Sequence, residues 1–191
     1  MDFRVRSDNQ KTEFRVAHFR VTSTKEGPNE QIKSEIHAHH FFYSKGIVHK
    51  EFVPPGQTVY QTFYLHVLER LRNRVRRVCG EIADKLFLHH DNAPSQTSFA
   101  VREFLAQNKI TTLPHPPYSP DLAPCDFFLF PKLKTHLKGH HLGTVENVQA
   151  AATRALNNIS SEDFLHCYEE WQQRWNRCIR SQGACFEGDK L

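Results

Sequence analysis

Two aspartates are the residues of this chain best suited to metal chemistry. Asp91 directly follows the apolar run KLFLHH, and Asp126 directly precedes the apolar run FFLF. Each carboxylate therefore lies where one structural element ends and the next begins. Such a position holds hard oxygen ligands near the edge of a sheet and leaves them open to substrate. The placement suits a shared divalent-metal site.

The elements around the two aspartates can be predicted from pattern. Residues 85–90 have the length and apolar character of a strand that ends at Asp91, and Ser95 is the predicted cap of the next helix. Residues 109–113 predict a further short strand. The segment PHPPYSPDLAP is too rich in proline for regular structure, so we expect a stiff loop that fixes Asp126 in place. A helix should follow, with Pro131 in its first turn.

The N-terminal half predicts strands and one long helix. Residues 13–22, 36–43 and 46–53 are the expected strands, the second a poor one. Thr58 and Gln61 form a predicted capping box for the helix that ends near Gly80. The helix carries an apolar stripe at helical spacing: Tyr64, Leu68, Leu71, Val75 and Val78.

Two more helices are expected at the end of the chain. Residues 144–157 are capped by Thr144, and residues 161–180 follow the pair Ser160 and Asp163. The buried stripe predicted for the last helix follows the same spacing: Phe164, Tyr168, Trp171, Trp175 and Cys178. Strands that alternate with helices in this order predict an α/β fold with a mixed sheet covered by helices.

Composition narrows the class of protein. A chain of 191 residues with 39% hydrophobic residues is long enough for one domain with a core. The net charge of +4 is compatible with a polyanionic partner. The five cysteines form no C-x-x-C pair, which argues against structural zinc and a disulfide framework. The charged N-terminus is unlike a secretory signal, and no apolar run has the length of a membrane span, so we expect a soluble protein without membrane contact.

Several literal stretches carry a resemblance to a known family. HHDNAPSQTS, VREFLAQNKI and LPHPPYSPDLAPCDFFLFPKLK follow one another as in a mariner-type transposase. The resemblance implies a ribonuclease-H-like fold and metal-dependent cleavage and transfer of DNA strands. It implies Asp91 and Asp126 as catalytic ligands of Mg²⁺ or Mn²⁺, DNA as partner, no small-molecule cofactor, a possible homodimer and a nuclear location.

The N-terminal part of the chain departs from the pattern of this family. The family uses a third, earlier aspartate in a GDETW-like word, which this chain lacks; Asp2 and Asp8 are the nearest acids, and surface positions suit both better. We therefore divide the chain into a divergent segment, 1–35, and a catalytic domain, 36–191, and expect no helix-turn-helix DNA-binding half. Both an active transposase and an inactive remnant that binds nucleic acid or a partner remain open.

Basic and histidine side chains supply the remaining candidates. Arg70, Arg74 and Arg77 line one helix face that could follow DNA phosphates or face solvent, with equal weight. His90 could orient a scissile phosphate, and Asn92 could orient Asp91 or water, although strand-end packing and a turn explain them equally well. A histidine-rich metal site would require three residues to converge with His89 or His90: His37, His39 and His40.

Overall fold

A five-stranded mixed sheet forms the centre of the molecule. The computed structural model describes residues 13–24, 33–80, 83, 86–138 and 144–182, with 13–24 and 33–36 described by their backbone alone. The strands are β1 (Glu13–Thr24), β2 (Lys33–Tyr43), β3 (Gly46–Phe52), β4 (Phe87–His89) and β5 (Thr111–Leu113). Their order in the sheet is β3-β2-β1-β4-β5. The hairpins β1–β2 and β2–β3 are antiparallel, while β4 runs parallel to β1 and β5 parallel to β4.

Helices follow the strands. They are α1 (Gln61–Val78), α2 (Pro94–Thr97), α3 (Phe99–Gln107), α4 (Phe130–Leu137), α5 (Val145–Asn157) and α6 (Ser161–Arg180). A 3₁₀ turn at Pro120–Leu122 and a π-helical turn at Cys125–Leu129 precede α4. No helix in the described ranges is long and apolar enough to cross a membrane.

Neighbouring residues of β2 pack into two separate hydrophobic cores. Phe41 packs with α1 residues such as Leu68 and Leu71 in one cluster, and Phe42 packs with Leu129 and Phe164 in the other. Successive side chains of a strand point to opposite faces, so one strand supports both cores. Helices α1 and α3 thus cover one face of the sheet and α4, α5 and α6 contribute to the other, as the mixed-sheet prediction requires.

The structure corrects several local predictions about helix caps. Tyr60 is the N-cap of α1 and makes no side-chain cap bond, so the Thr58–Gln61 capping box is wrong. Ser98 rather than Ser95 caps α3, by accepting a hydrogen bond from the Val101 N–H, because Ser95 lies inside the short helix α2. Val78 is 54% exposed and lies outside the apolar stripe of α1.

Other local predictions are confirmed. Thr144 caps α5, Ser160 and Asp163 form a complete capping box at α6, and Pro131 lies in the first turn of α4. The predicted α6 stripe is only partly buried: Phe164 and Trp171 are fully buried, and Cys167 replaces the predicted Tyr168 as the third buried residue. The predicted 109–113 strand is shorter and begins at Thr111.

Candidate metal and nucleic-acid site

Asp91 lies just beyond the end of β4, a strand inside the sheet between β1 and β5. Its carboxylate accepts a hydrogen bond of 2.8 Å from the Ala93 N–H, which closes an Asx turn. The strand ends at His89 and the side chain of Asp91 is exposed. The Asx turn therefore fixes the direction of the Asp91 carboxylate, which is exposed to solvent.

Asp126 lies in the π-helical turn that leads into α4. Its N–H donates to the Ala123 carbonyl at 2.9 Å, while its neighbours Cys125, Phe128 and Leu129 are buried. The packing of these neighbours leaves Asp126 on the outer side of the turn, where it is exposed. π-Helical turns are uncommon and occur frequently at functional sites.

The two carboxylates act on each other electrostatically. Partial burial raises the pKa of Asp126, and repulsion from the Asp91 carboxylate raises it further. Like charges have this effect only at short range, because water and salt screen distant pairs. Two aspartates that are far apart in the sequence are therefore close enough in the fold for their charges to interact. Hard oxygen donors whose charges repel each other suit a divalent cation, which would relieve that repulsion.

A tyrosine of α1 supports the Asp91 side of the site. The Tyr64 hydroxyl lies 3.2 Å from Nδ1 of His90, and both side chains are buried. Burial lowers the pKa of His90 to about 4, against the opposing effect of Asp91, so His90 is neutral at pH 7. The predicted phosphate contact by His90 thus competes with an internal hydrogen bond that fixes the end of β4.

Side chains from α6 hold the proline-rich loop that precedes Asp126. The indole Nε1 of Trp171 donates to the Leu122 carbonyl at 2.8 Å, and Arg174 donates to the Asp121 carbonyl at 3.3 Å. The Arg174 guanidinium also lies 4.2 Å from the centre of the Phe127 ring. These contacts fix the loop on both sides of Asp126, which agrees with the stiffness predicted from its prolines.

The same loop is tied to the Asp91 side. The Asn92 amide donates to the His115 carbonyl at 2.9 Å, and His115 Nδ1 lies 3.2 Å from His89 Nε2. Asn92 therefore joins the loop after β4 to the loop before Asp126, a role that differs from the predicted orientation of Asp91. Together these bonds hold the two aspartates in one framework.

A third carboxylate is not brought to this site by the described residues. No group of three or more His, Cys, Asp or Glu side chains there could hold a metal ion. The parallel ladder pairs Glu13 with Phe87 and ends with Arg15 opposite His89. Asp2 and Asp8 lie outside the described residues.

The predicted histidine cluster does not form in the part of the chain that the structure describes. His39 packs beside Phe63 and Tyr64, whereas His40 packs edge-on to Phe52. Adjacent residues of β2 point to opposite faces of the sheet, so His39 and His40 cannot converge on one ion. Both are core histidines.

The predicted arginine face lies apart from the aspartates. Arg70 pairs with Glu51 through two hydrogen bonds, and Arg74 donates to the Val48 carbonyl at 3.4 Å. Arg77 lies three residues beyond Arg74 on α1. The three arginines line a cleft next to β3, at the opposite edge of the sheet from β5.

Sequence reasoning missed Tyr64, Trp171 and Arg174 as supports of the site. The helical period assigned Tyr64 and Trp171 to apolar stripes, which is correct, but it carries no information about the partners of their polar atoms. Aromatic residues that are buried yet carry an O–H or N–H usually need such a partner. That requirement is the signal that could have marked both residues.

Comparison with curated proteins finds two relatives. The chain is 32% identical over 146 residues to the Mariner Mos1 transposase of Drosophila mauritiana, which covers 74% of this chain and 42% of that protein. It is 25% identical over 144 residues to the human Histone-lysine N-methyltransferase SETMAR, over 74% of this chain and 21% of that protein. The chain thus spans less than half the length of either relative. No protein-family model matches it.

Solved structures match more of the chain. The catalytic domain of Mos1 mariner transposase superposes with a TM-score of 0.84 at 26% identity, over 95% of this chain and 87% of that one. The same domain with Raltegravir and Mn gives 0.81 at 26% identity, over 91% and 84%. A Mos1 paired-end complex with the left transposon end gives 0.84 at 24% identity, over 95% and 58%. The ribonuclease-H-like α/β fold expected from the sequence is confirmed.

Proposed function

Because this chain belongs to the mariner-type transposases and has the fold of their catalytic domain, we propose that it cleaves and joins DNA strands with a divalent metal ion. The observation that carries the proposal is the placement of two exposed carboxylates, Asp91 just after β4 and Asp126 in the turn before α4, close enough for the charge of Asp91 to raise the pKa of Asp126. A fold relative has been solved with Mn and also with Mg. Asp91 and Asp126 are the residues that would hold Mg²⁺ or Mn²⁺ here.

The protein's own contribution is positioning. When bound, the metal would activate a water or a 3′-hydroxyl and stabilise the leaving oxygen. The Ala93 N–H orients the Asp91 carboxylate, and Tyr64 and His90 fix the strand end behind it. Trp171 and Arg174 hold the loop ahead of Asp126. Fixed ligands cost little reorganisation during the reaction, which is the main way a protein assists phosphoryl chemistry.

The partners follow from the same proposal. DNA is the substrate, and a homodimer is the expected assembly, since Mos1 has been solved as a paired-end complex. A protein that acts on chromosomal DNA would work in the nucleus. Neither a small-molecule cofactor nor a membrane has a part in this chemistry.

One observation favours a second function. Among the described residues, no group of three or more His, Cys, Asp or Glu side chains could hold a metal ion. Two carboxylates alone would hold Mg²⁺ weakly, because this ion requires near-octahedral coordination. An inactive transposase-derived module that still binds DNA is therefore the alternative.

A plasmid-nicking assay separates the two functions. The active enzyme should nick supercoiled DNA with Mg²⁺ or Mn²⁺, lose the activity in EDTA, and lose it in Asp91→Ala and Asp126→Ala. Asp121→Asn is the matched control, because Asp121 is an acid of the same loop outside the proposed ligand pair. Nicking that survives Asp91→Ala would refute the site assignment, and DNA binding without any nicking would establish the inactive module.

A further inference from the structure

A basic cleft lies at the outer edge of the sheet. It has a volume of about 770 Å³ and is bounded by β3, by α1 and by Asn157 at the end of α5. Four of its side chains carry a formal positive charge: Lys50, Arg70, Arg74 and Arg77. His49 also lines it, with a pKa that burial lowers, so this ring adds little charge at pH 7.

Interactions with other groups of the protein neutralise only part of this positive charge. Glu51 accepts two hydrogen bonds from Arg70, and His49 Nε2 lies 3.2 Å from the same carboxylate. Arg74 uses Nε on the Val48 carbonyl and keeps its two terminal nitrogens for other acceptors. Lys50, Arg74 and Arg77 are therefore the cations left to meet an anion in the cleft.

The outer edge of β3 is poorly suited to pairing with a β-strand of another protein. An edge strand offers free carbonyls to which an added strand could bind. Here the pairing register shifts between Phe41 and Phe42, which places Val48 in a bulge, and Arg74 covers its carbonyl. A bulge and a covering cation both disfavour strand addition. The excess of positive charge then points to a polyanion.

The spacing of the arginines matches a nucleic-acid backbone. From Arg74 to Arg77 the axis of α1 advances about 4.5 Å, at 1.5 Å per residue. Successive phosphates of one DNA strand advance about 3.4 Å along the duplex, so these two arginines can meet neighbouring phosphates.

The cleft is separate from the aspartate pair. Tyr64, which contacts His90 beside Asp91, lies ten and thirteen residues before Arg74 and Arg77. These intervals correspond to about 15 and 20 Å along the helix.

We propose that this cleft is a second DNA-binding site, which holds the phosphate backbone apart from the aspartate pair. The contact is to phosphates, so it reads no base sequence. DNA as the ligand rests on the proposed function, but binding in the cleft requires neither metal nor cleavage.

The test is equilibrium binding of the full chain to a 25-base-pair DNA duplex of random sequence in EDTA. Fluorescence anisotropy measures the affinity at several salt concentrations. Arg74→Ala combined with Arg77→Ala should weaken binding about tenfold or more and reduce the salt slope by about 2. The control is Arg72→Ala combined with Arg76→Ala, which removes the same charge from the same helix outside the cleft lining. The control should change affinity less than threefold.

A second comparison avoids any loss of folding. Arg77→Ala and Arg76→Ala change neighbouring residues, and neither touches the Val48 carbonyl. Arg77→Ala should weaken binding several-fold, Arg77→Lys should restore most of it, and Arg76→Ala should have little effect. Equal losses in the two variants would overturn the proposal. So would polyglutamate competing as strongly as DNA at equal charge, which would assign the cleft to an acidic protein.

These results are independent of the nicking assay. A protein that binds DNA through the cleft in EDTA but never nicks would retain the cleft and lose the proposed catalysis. A protein that nicks DNA, but whose DNA binding does not depend on Arg74 and Arg77, would retain the proposed catalysis and overturn the cleft proposal.

Discussion

The Asp91 carboxylate raises the pKa of Asp126, although a loop, two helices, a strand and a proline-rich segment separate them in the chain. The fold brings them together because Asp91 follows β4, while α6 holds the segment that ends at Asp126. Mutual repulsion of this kind is unfavourable in the metal-free protein. A site that retains it is suited to a cation.

The repulsion predicts a titration shift. In Asp91→Asn the pKa of Asp126 should fall towards its ordinary value, since one of its two causes is removed. Carboxyl titration by NMR in metal-free protein measures this shift. Asp121→Asn is the control and should leave the Asp126 titration unchanged, and an unchanged titration in Asp91→Asn would show that the two carboxylates do not interact.

The same interaction predicts a stability change. An acid whose folded pKa is raised binds its proton more tightly in the folded state, so its contribution to stability declines as pH rises through that pKa. Asp126→Asn should therefore stabilise the metal-free protein at pH 7. Solvent screening of this exposed pair limits the gain to no more than about 1 kcal/mol. Urea denaturation measures it, and a destabilised variant would contradict the assignment.

His40 predicts sensitivity to acid. Burial, together with the charges of Lys50 and His49, lowers its pKa to about 3. The unfolded chain binds a proton near pH 6.5 that the folded protein does not, so stability should fall as pH decreases below about 6.5. The slope approaches about 1.4 kcal/mol per pH unit for this residue. Denaturation between pH 7.5 and 4.5 should show a smaller slope in His40→Gln.

Replacing Trp171 or Trp175 tests how the loop ahead of Asp126 is supported. Trp171→Phe removes the hydrogen bond to Leu122 and leaves a buried carbonyl without it, at a cost of about 1–3 kcal/mol. Nicking should fall as Asp126 loses its support. Trp175 Nε1 has no hydrogen-bond partner in the described part of the chain, so Trp175→Phe should cost less and preserve nicking. Equal effects of the two changes would contradict the role given to Trp171.

The N-terminal acids give another test. If the first carboxylate is absent, Asp2→Ala and Asp8→Ala should leave nicking unchanged, and a loss in either would identify a third ligand. Point variants are required, since β1 pairs with both β2 and β4. Deletion of residues 1–35 would remove a central strand and abolish folding, so it could not report on a ligand.

The sequence predicted the strands because their signals are local. Apolar runs bounded by turn residues marked β3 and β4, and the proline-rich segment marked the stiff loop before Asp126. The cap of α3 was misplaced because Ser95 and Ser98 carry the same local signal, and the choice between them depends on the intervening helix α2.

Other features depend on contacts between distant segments. The bonds of Tyr64 to His90 and of Trp171 to Leu122 join residues far apart in the chain, so periodicity could not reveal them. The parallel pairing of β1 with β4 likewise joins distant segments. The opposite orientations of His39 and His40 follow from the strand alone, once β2 is known to be a strand.

Binding of Mn²⁺ measured by electron paramagnetic resonance tests the central claim most directly, because free and bound ions are counted without any need for activity. The account predicts that Mn²⁺ binds the wild-type chain and competes with Mg²⁺, that Asp91→Asn and Asp126→Asn each weaken binding at least tenfold, and that Asp121→Asn binds as the wild type does. Equal Mn²⁺ binding in the wild type and in the Asp91→Asn, Asp126→Asn double variant would contradict it.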